Sequence, residues 1–237
     1  MDLVIYGNLT KDIIIDIDNL STKQTSIGGI INSWFHFKKI NKNNYLIDFI
    51  PMTYGESVIL LENNKRFSKS NLNLKMIDYN IVKSKISHIM YLNDIENLDI
   101  DKIIKIKEKS TYLSADTCSS SENSTINIEY LKYIDFLFIS EDEFIFNKEL
   151  YLNNISGFII THHPTGSNIY FPKINNITIT EKDLEKENIY FKEKCNVLGA
   201  GDCFAGAFIY YFLNNNCNID NYIEALIYSH KSVNSIL

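Results

Sequence analysis

Apolar residues in the first part of the chain occur in short runs separated by polar residues and turns. Residues 2–6 form a β-rich run that ends at Gly7, which predicts a buried first strand. In a second run, residues 13–17, apolar positions alternate with acids. After a polar stretch, the pair Gly28-Gly29 opens a segment of helical periodicity that extends to about residue 37. The pattern therefore predicts two strands followed by a helix.

Between residues 45 and 70 the pattern is typical of strands. Apolar and aromatic residues come in short runs there, and Glu62-Asn63-Asn64 has the composition of a hairpin turn. The predicted strands cover residues 45–50, 57–61 and 65–68.

From about residue 78 onward, helical and strand-like patterns alternate. The predicted strands are residues 88–92, 111–115, 136–139 and 157–161. The helical segments between them include residues 100–109, 126–133 and 141–150. Strands that alternate with helices predict a parallel sheet covered on both faces, so the fold class is an α/β sandwich. In such folds, ligands bind at the carboxyl ends of the strands.

The segment Gly199-Ala200-Gly201-Asp202 precedes a strongly apolar helical pattern. Phe204, Phe208 and Phe212 recur at four-residue spacing, which predicts a buried helix. The N-terminus of a helix offers unpaired N–H groups and the positive end of the helix dipole. Because glycines have no Cβ, an anionic group can contact those amides directly. A carboxylate at this place, Asp202, has a chemical purpose if it takes a proton from a hydroxyl that attacks a phosphate.

The segment from Gly199 to Asp202 also has to be compared with three other patterns. A tight turn with Asp202 as a helix cap stays open on these residues alone. A dinucleotide fingerprint requires a third glycine at position 204, where the chain has Phe204. The phosphate-loop motif G-x-x-x-x-G-K-[ST] occurs nowhere in the sequence. The spacing therefore excludes both nucleotide motifs.

Composition narrows the class of protein. The chain has 237 residues, is 45% hydrophobic and carries a net charge of −6, so it can bury the core of one domain. No basic stripe suggests nucleic acid or an anionic membrane as a partner. The four cysteines (Cys118, Cys195, Cys203 and Cys217) have no C-x-x-C spacing. Because no apolar run reaches membrane-spanning length, we expect a soluble cytoplasmic protein.

Residues 196–209 resemble the C-terminal signature of the PfkB (ribokinase-like) carbohydrate kinases, whose core is usually D-T-x-G-A-G-D. Asn196 and Val197 replace the usual aspartate and threonine. The resemblance implies a three-layer α/β/α sandwich with a central, mostly parallel sheet. It also implies a small β lid, formed mainly by about residues 13–17 and 45–70, within a single domain of residues 1–237. In this family the amides of Gly199 to Asp202 would form an anion hole for the transferred phosphoryl group, and Asp202 would be the catalytic base.

The resemblance extends to the N-terminal part of the chain. Asp12 follows the first strand, as an aspartate commonly does in the family, and a carboxylate accepts two hydrogen bonds from a vicinal diol. Gly28, Gly29 and Asn32 resemble the family's glycine–glycine element with its asparagine. These four residues are therefore expected to bind the substrate. A loop aspartate and a simple turn before a helix are the alternatives for the same residues.

Two further elements match the family in part. Glu143 follows a strand where the family has N-x-x-E, with Ser140 in place of asparagine. In the family this glutamate helps to hold magnesium through water, so the resemblance implies the same role for Glu143. Asp116 is a further metal candidate. Thr161 and Gly166 match the nucleotide loop T-x-G-x-x-G, with His163 in place of the central glycine.

These elements also have simpler explanations. Acidic residues in a first helical turn complement the helix dipole without any metal. The adjacent histidines at 162 and 163 suggest a metal site instead of a nucleotide loop, yet no third ligand lies at a regular spacing.

Together these matches predict an ATP-dependent, Mg²⁺-assisted kinase that phosphorylates a hydroxyl of a sugar or sugar derivative. A short C-terminus resembles that of fructosamine-type kinases, which favours that acceptor class. The alternatives are an inactive or weakly active family member that binds sugar or nucleotide, and a nucleoside kinase of the same superfamily. The lid also leads us to expect a homodimer.

Overall fold

A computed structural model describes residues 1–62, 65–95, 98–117, 126–172, 175–190, 199–218 and 221–236. Three groups of residues named above therefore lie outside the described residues. They are the hairpin positions Asn63 and Asn64, the cysteines Cys118 and Cys195, and residues 196–198 of the glycine-rich signature.

The chain forms strands and helices in alternation over most of its length. The strands are β1 (Leu3–Asp16), β2 (Ser21–Gly29), β3 (Ile47–Glu62), β4 (Lys65–Met76), β5 (Ser84–Ile89), β6 (Ser110–Asp116), β7 (Phe136–Ser140), β8 (Phe158–His163), β9 (Gly166–Tyr170) and β10 (Ile177–Ile179). The helices are α1 (Ile30–Ile40), α2 (Ile100–Glu108), α3 (Ile128–Leu131), α4 (Glu141–Phe146), α5 (Lys148–Asn154), α6 (Glu181–Lys186), α7 (Ala200–Asn214) and α8 (Tyr222–Ile236). A 3₁₀ turn covers Leu92–Asp94.

All the strands belong to one sheet with the order β10-β9-β8-β7-β6-β5-β1-β3-β4, and β2 pairs with β1 beside this path. From β8 to β3 each neighbouring pair is parallel, whereas β9, β10, β4 and β2 join antiparallel. The mostly parallel central sheet is therefore confirmed. The carboxyl ends of β5, β6, β7 and β8 lie along one edge, where a ligand site is expected.

Helices cover both faces of the sheet because the central strands are apolar on both sides. Phe136 and Phe138 of β7 are buried in one core cluster, while the alternate residues Leu137 and Ile139 are buried in the other. On the first face, Phe136 packs against Phe212 of α7 with ring centroids 5.5 Å apart. The three-layer α/β/α arrangement is confirmed. None of the helices in the described ranges is long and apolar enough to cross a membrane.

The antiparallel end of the sheet differs from the sequence prediction. Residues 13–17 do not form a strand of their own, because β1 runs without a break from Leu3 to Asp16. Its second half pairs with β3 on one side and with β2 on the other. Strand β2 arises from a polar stretch that has no strand periodicity, since its place depends on backbone pairing with β1. Strand β4 continues to Met76, well beyond the predicted residue 68.

Candidate active site at the carboxyl edge of the sheet

Helix α7 begins with a glycine in the left-handed conformation. Gly199, which precedes the helix, has φ 80°. The first hydrogen bond of the helix runs from the amide of Cys203 to the carbonyl oxygen of Gly199, at 2.9 Å. The amides of Ala200, Gly201 and Asp202 therefore have no acceptor within the helix. They lie at the positive end of a 15-residue helix, an arrangement that favours an anion.

Two imidazole rings stand beside these glycines. A Cβ at Gly199 would lie 3.0 Å from Nε2 of His36, and a Cβ at Gly201 would lie 3.3 Å from Cε1 of His162. Burial lowers the pKa of both histidines, that of His162 to about 4. Both rings are therefore neutral at physiological pH. A side chain at either glycine would require the neighbouring imidazole ring to shift.

Asp202 lies in the first turn of α7 and is only 3% exposed. Its carboxylate accepts a hydrogen bond from Tyr91, whose Oη lies 3.0 Å from both oxygens. Tyr91 follows β5 in a left-handed conformation (φ 55°, ψ 52°), and its amide donates to Asp116 Oδ1. This contact joins helix α7 to the carboxyl edge of the sheet.

An ion pair from the antiparallel end of the sheet lies beside Tyr91. The Lys69 ammonium of β4 is 4.3 Å from the centroid of the Tyr91 ring and 3.1 Å from Asp94 Oδ2. The side chains of Lys69 and Asp94 are 5% and 8% exposed, so the pair is largely desolvated. Asn71 also donates to Asp94, at 3.3 Å. No local sequence pattern predicts these contacts, because they join strands and turns that are distant in the chain.

Of the predicted substrate-binding residues, Asp12 and Gly28 are in direct contact, while Gly29 packs against Asn8. Asp12 is 6% exposed and accepts a 2.7 Å hydrogen bond from Thr10 Oγ1. Burial raises its pKa, although this hydrogen bond and the charge of Lys69 oppose the shift. A Cβ at Gly28 would lie 1.8 Å from Asp12 Oδ2, and one at Gly29 would lie 1.9 Å from the Asn8 carbonyl oxygen.

The fourth residue of that group, Asn32, begins the next element. Gly29 has φ 64° and directly precedes α1. Asn32 lies in the first turn of α1 and is half-buried. The chain therefore passes from the Asp12 contact into the helix that carries Asn32 and, one turn later, His36.

The two predicted metal-site carboxylates follow neighbouring strands: Asp116 ends β6, and Glu143 lies in the first turn of α4, directly after β7. Asp116 Oδ1 accepts from the Tyr91 amide, and its Oδ2 is 3.6 Å from Nε2 of the buried His88. Glu143 accepts a 2.9 Å hydrogen bond from Thr117, the residue after Asp116. Within the described ranges, no three His, Cys, Asp or Glu side chains converge as metal ligands. Asp116 and Glu143 offer carboxylate oxygens, the type of ligand that Mg²⁺ takes when it keeps several water molecules.

Thr161 and Gly166 are held by contacts within the protein. Thr161 is fully buried and its hydroxyl donates to Glu141, a carboxylate that also accepts from Tyr170 Oη at 3.2 Å. A Cβ at Gly166 would lie 2.4 Å from the Ile179 carbonyl oxygen of β10. The segment between them is the β8–β9 hairpin with Pro164 and Thr165 in its turn. Internal packing therefore accounts for both residue types.

A second buried histidine lies behind His162. The Phe204 ring of α7 separates the two, with centroids 5.3 Å from His162 and 5.1 Å from His230. His230 Nε2 is 3.1 Å from Ser167 Oγ, and burial lowers the pKa of His230 to about 4. The two imidazoles and the phenylalanine therefore pack in a row that connects strand β8, the N-terminal part of α7 and helix α8.

No protein-family model matches the sequence, and a search of curated proteins also found no match. Solved structures do match. The ribokinase of Thermotoga maritima aligns with a TM-score of 0.68 at 15% identity, over 98% of this chain and 91% of that one. A pyrophosphate-dependent kinase of the ribokinase family, solved with a pyrophosphate analogue and myo-inositol, aligns with a TM-score of 0.67 at 14% identity, over 98% and 93% of the chains.

A nucleoside kinase of Methanocaldococcus jannaschii, an archaeal member of the ribokinase family, is also similar. Its TM-score is 0.64 at 16% identity, and the alignment covers 99% of this chain and 91% of that one. These similarities extend over nearly the whole length of each protein, although few residues are identical. The chain therefore has the ribokinase-like fold.

Proposed function

We propose that the protein is a small-molecule kinase that transfers the terminal phosphoryl group of ATP to a hydroxyl of a sugar or sugar derivative. The observation that carries this proposal is the position of Asp202, a buried carboxylate in the first turn of α7 beside amides that have no acceptor within the helix. A negative side chain at an anion-binding helix end has a purpose if it removes a proton during phosphoryl transfer. The structural neighbours named above are kinases, which agrees with this chemistry.

In the proposed reaction Asp202 takes the proton of the acceptor hydroxyl. The oxygen of that hydroxyl forms a bond to the terminal phosphorus of ATP while the bond from this phosphorus to ADP breaks. The amides of Gly199, Ala200, Gly201 and Asp202 would stabilise the negative charge on the group in transfer. Because neither glycine carries a Cβ, the phosphoryl oxygens can approach those amides closely.

Asp12, Gly28, Gly29 and Asn32 would bind the acceptor. The buried Asp12 carboxylate can accept two hydrogen bonds from neighbouring hydroxyls, which favours a polyhydroxy compound. Structural neighbours include a fructokinase solved with fructose and a kinase solved with myo-inositol, both polyhydroxy compounds. A fructosamine would satisfy the same carboxylate, and so would the ribose of a nucleoside.

Glu143 would hold Mg²⁺ through a bound water molecule. Asp116 would act indirectly, by orienting groups that contact the same ion. The ion neutralises charge on the donor phosphates when it is bound. Thr161 and Gly166 would shape the nucleotide side of the site through the β8–β9 hairpin. Thr161 would maintain the hairpin through its hydrogen bond to Glu141, and Gly166 through its close approach to Ile179, so that both positions can contact the nucleotide.

Strands β2, β3 and β4, together with the second half of β1, would act as the β lid, which is formed mainly by about residues 13–17 and 45–70. Closing it over the acceptor would exclude water, which favours transfer to the acceptor over hydrolysis of ATP. Several of its apolar side chains are exposed, among them Ile27 at 66% and Tyr54 at 55%. A second copy of the chain that packed on them would form the expected homodimer.

A direct test measures ADP formation by the purified protein with ATP and Mg²⁺. The acceptors are D-ribose, D-fructose, myo-inositol, a fructosamine and adenosine, each tested alone. Pyrophosphate replaces ATP in a parallel series, with phosphate release as the readout. The proposal predicts ADP formation that depends on one class of acceptor. Acceptor binding in a calorimeter without any turnover would indicate a binding protein instead.

A further inference from the structure

The Tyr91 hydroxyl stands where an acceptor hydroxyl is needed. Its Oη lies 3.0 Å from both oxygens of the Asp202 carboxylate, so it lies between them. An acceptor that gives its proton to Asp202 must come within hydrogen-bonding distance of the same oxygens. The phenol and the acceptor therefore compete for one place.

Contacts from several parts of the fold hold Tyr91 in this position. Its amide donates to Asp116 at the end of β6, and its backbone adopts the left-handed conformation that residues other than glycine rarely adopt. The Lys69 ammonium of β4 covers the ring, and the buried ion pair with Asp94 fixes that ammonium. The side chain is thus directed at Asp202 by its surroundings.

We propose that Tyr91 determines acceptor specificity by keeping water away from Asp202 until an acceptor hydroxyl displaces the phenol. This inference rests on the proposed function, because it takes Asp202 as the base and ATP as the donor. A polyhydroxy acceptor gains further hydrogen bonds at Asp12, and these favour displacement of Tyr91. A water molecule has no such additional contacts and does not displace it.

The reaction that Tyr91 prevents is hydrolysis of the donor. A water molecule at Asp202 would give its proton to the carboxylate while its oxygen forms a bond to the terminal phosphorus of ATP. The bond from this phosphorus to ADP would break, leaving ADP and inorganic phosphate. Tyr91 therefore suppresses a loss of ATP that would otherwise occur whenever the acceptor site is empty.

The test is the variant Tyr91→Phe, which keeps the ring under Lys69 and removes only the hydroxyl. With ATP and Mg²⁺ and no acceptor, phosphate release should rise at least about tenfold, the effect of removing one hydrogen bond to a charged group. The KM of whichever acceptor the wild type phosphorylates should fall severalfold, while kcat is retained. Tyr211→Phe is the matched control, because Tyr211 lies in the last turn of α7, where its hydroxyl donates to the Glu224 carboxylate of α8. This variant should change neither quantity.

Two results with Tyr91→Phe would overturn the inference: unchanged phosphate release together with unchanged KM, or a loss of acceptor phosphorylation. If the variant does not fold, a crystal structure of the wild type with its acceptor decides the matter. Tyr91 Oη must then have left Asp202, and a phenol still bonded to both oxygens would contradict the inference. Acceptor phosphorylation that persists in Asp202→Asn would instead refute the proposed function itself.

Discussion

The carboxylate of Asp12 lies directly over the α-carbon of Gly28. A Cβ at Gly28 would stand 1.8 Å from Asp12 Oδ2 and 2.3 Å from its Cγ, closer than any non-bonded contact allows. The two residues are diagonal neighbours on one face of the sheet, because β2 pairs antiparallel with β1 so that Thr10 is opposite Gly28 and Asp12 is opposite Ser26. Glycine at position 28 is therefore what allows the Asp12 carboxylate to remain buried against β2.

Replacement of Gly28 by alanine should displace the Asp12 carboxylate. We expect the acceptor KM to rise at least about tenfold, and overpacking to lower the free energy of unfolding by about 1–3 kcal/mol. Steady-state kinetics and urea unfolding measure the two effects. Gly206→Ala is the matched control, because a Cβ there meets Phe37 at an ordinary 3.7 Å and alanine favours a helix. Equal acceptor KM values for both variants would show that the Asp12 contact is unimportant.

Asp12→Asn keeps the shape of the side chain and removes its charge. If Asp12 holds acceptor hydroxyls equally in the ground state and the transition state, KM should rise about 10–100-fold while kcat changes less than about threefold. A pH series adds a second readout. Because burial raises the pKa of Asp12, the wild type should lose acceptor affinity on acidification at a higher pH than an ordinary aspartate would, and the variant should lack this dependence. A fall in kcat alone would contradict this role.

Gly201 and His162 should be energetically coupled. In Gly201→Ala the new Cβ lies 3.3 Å from the His162 ring, so either the ring or the first turn of α7 must shift. We expect kcat to fall at least about tenfold in Gly201→Ala, and His162→Ala in the same chain to restore part of it. A double-mutant cycle measures this coupling. Strictly additive effects would mean that the methyl group acts on the phosphoryl group rather than on His162.

Stability should decrease on mild acidification because His230 is buried in its neutral form. Its pKa is about 4 in the folded protein and 6.5 in an unfolded chain. Between these values the unfolded state binds the proton more tightly, so stability is complete above pH 6.5 and falls as pH drops to about 4. The contribution is at most about 1.4 kcal/mol per pH unit for one histidine. Urea unfolding between pH 7 and 4 should give a shallower dependence for His230→Gln, and an unchanged slope would refute the prediction.

The sequence predicted the central elements of the fold well, because strands such as β7 and β8 contain short apolar runs buried on both faces. Helix α7 was also predicted, since its phenylalanines repeat at helical spacing and pack in the core. Strand β2 was missed because its polar sequence has no period. Its place follows from backbone pairing with β1, which periodicity does not record.

The residues of the candidate site were easier to predict than their contacts. The glycines before α7 and the Gly28-Gly29 pair stand out in the sequence, and each meets a close approach in the structure. The contact of Tyr91 with Asp202 joins residues 111 positions apart, so no local pattern reveals it. The match of Thr161 and Gly166 to a nucleotide loop rested on residue types that hairpin packing also requires.

The most direct test of the proposed function is the rate of ADP formation by Asp202→Asn with ATP, Mg²⁺ and the acceptor that the wild type uses. Asparagine retains the shape of the side chain and its contact with Tyr91 but cannot take the proton. The variant should fold with wild-type circular dichroism, bind the acceptor, and show a kcat lower by at least about a hundredfold. A kcat within about threefold of the wild type would contradict the assignment of Asp202 as the catalytic base.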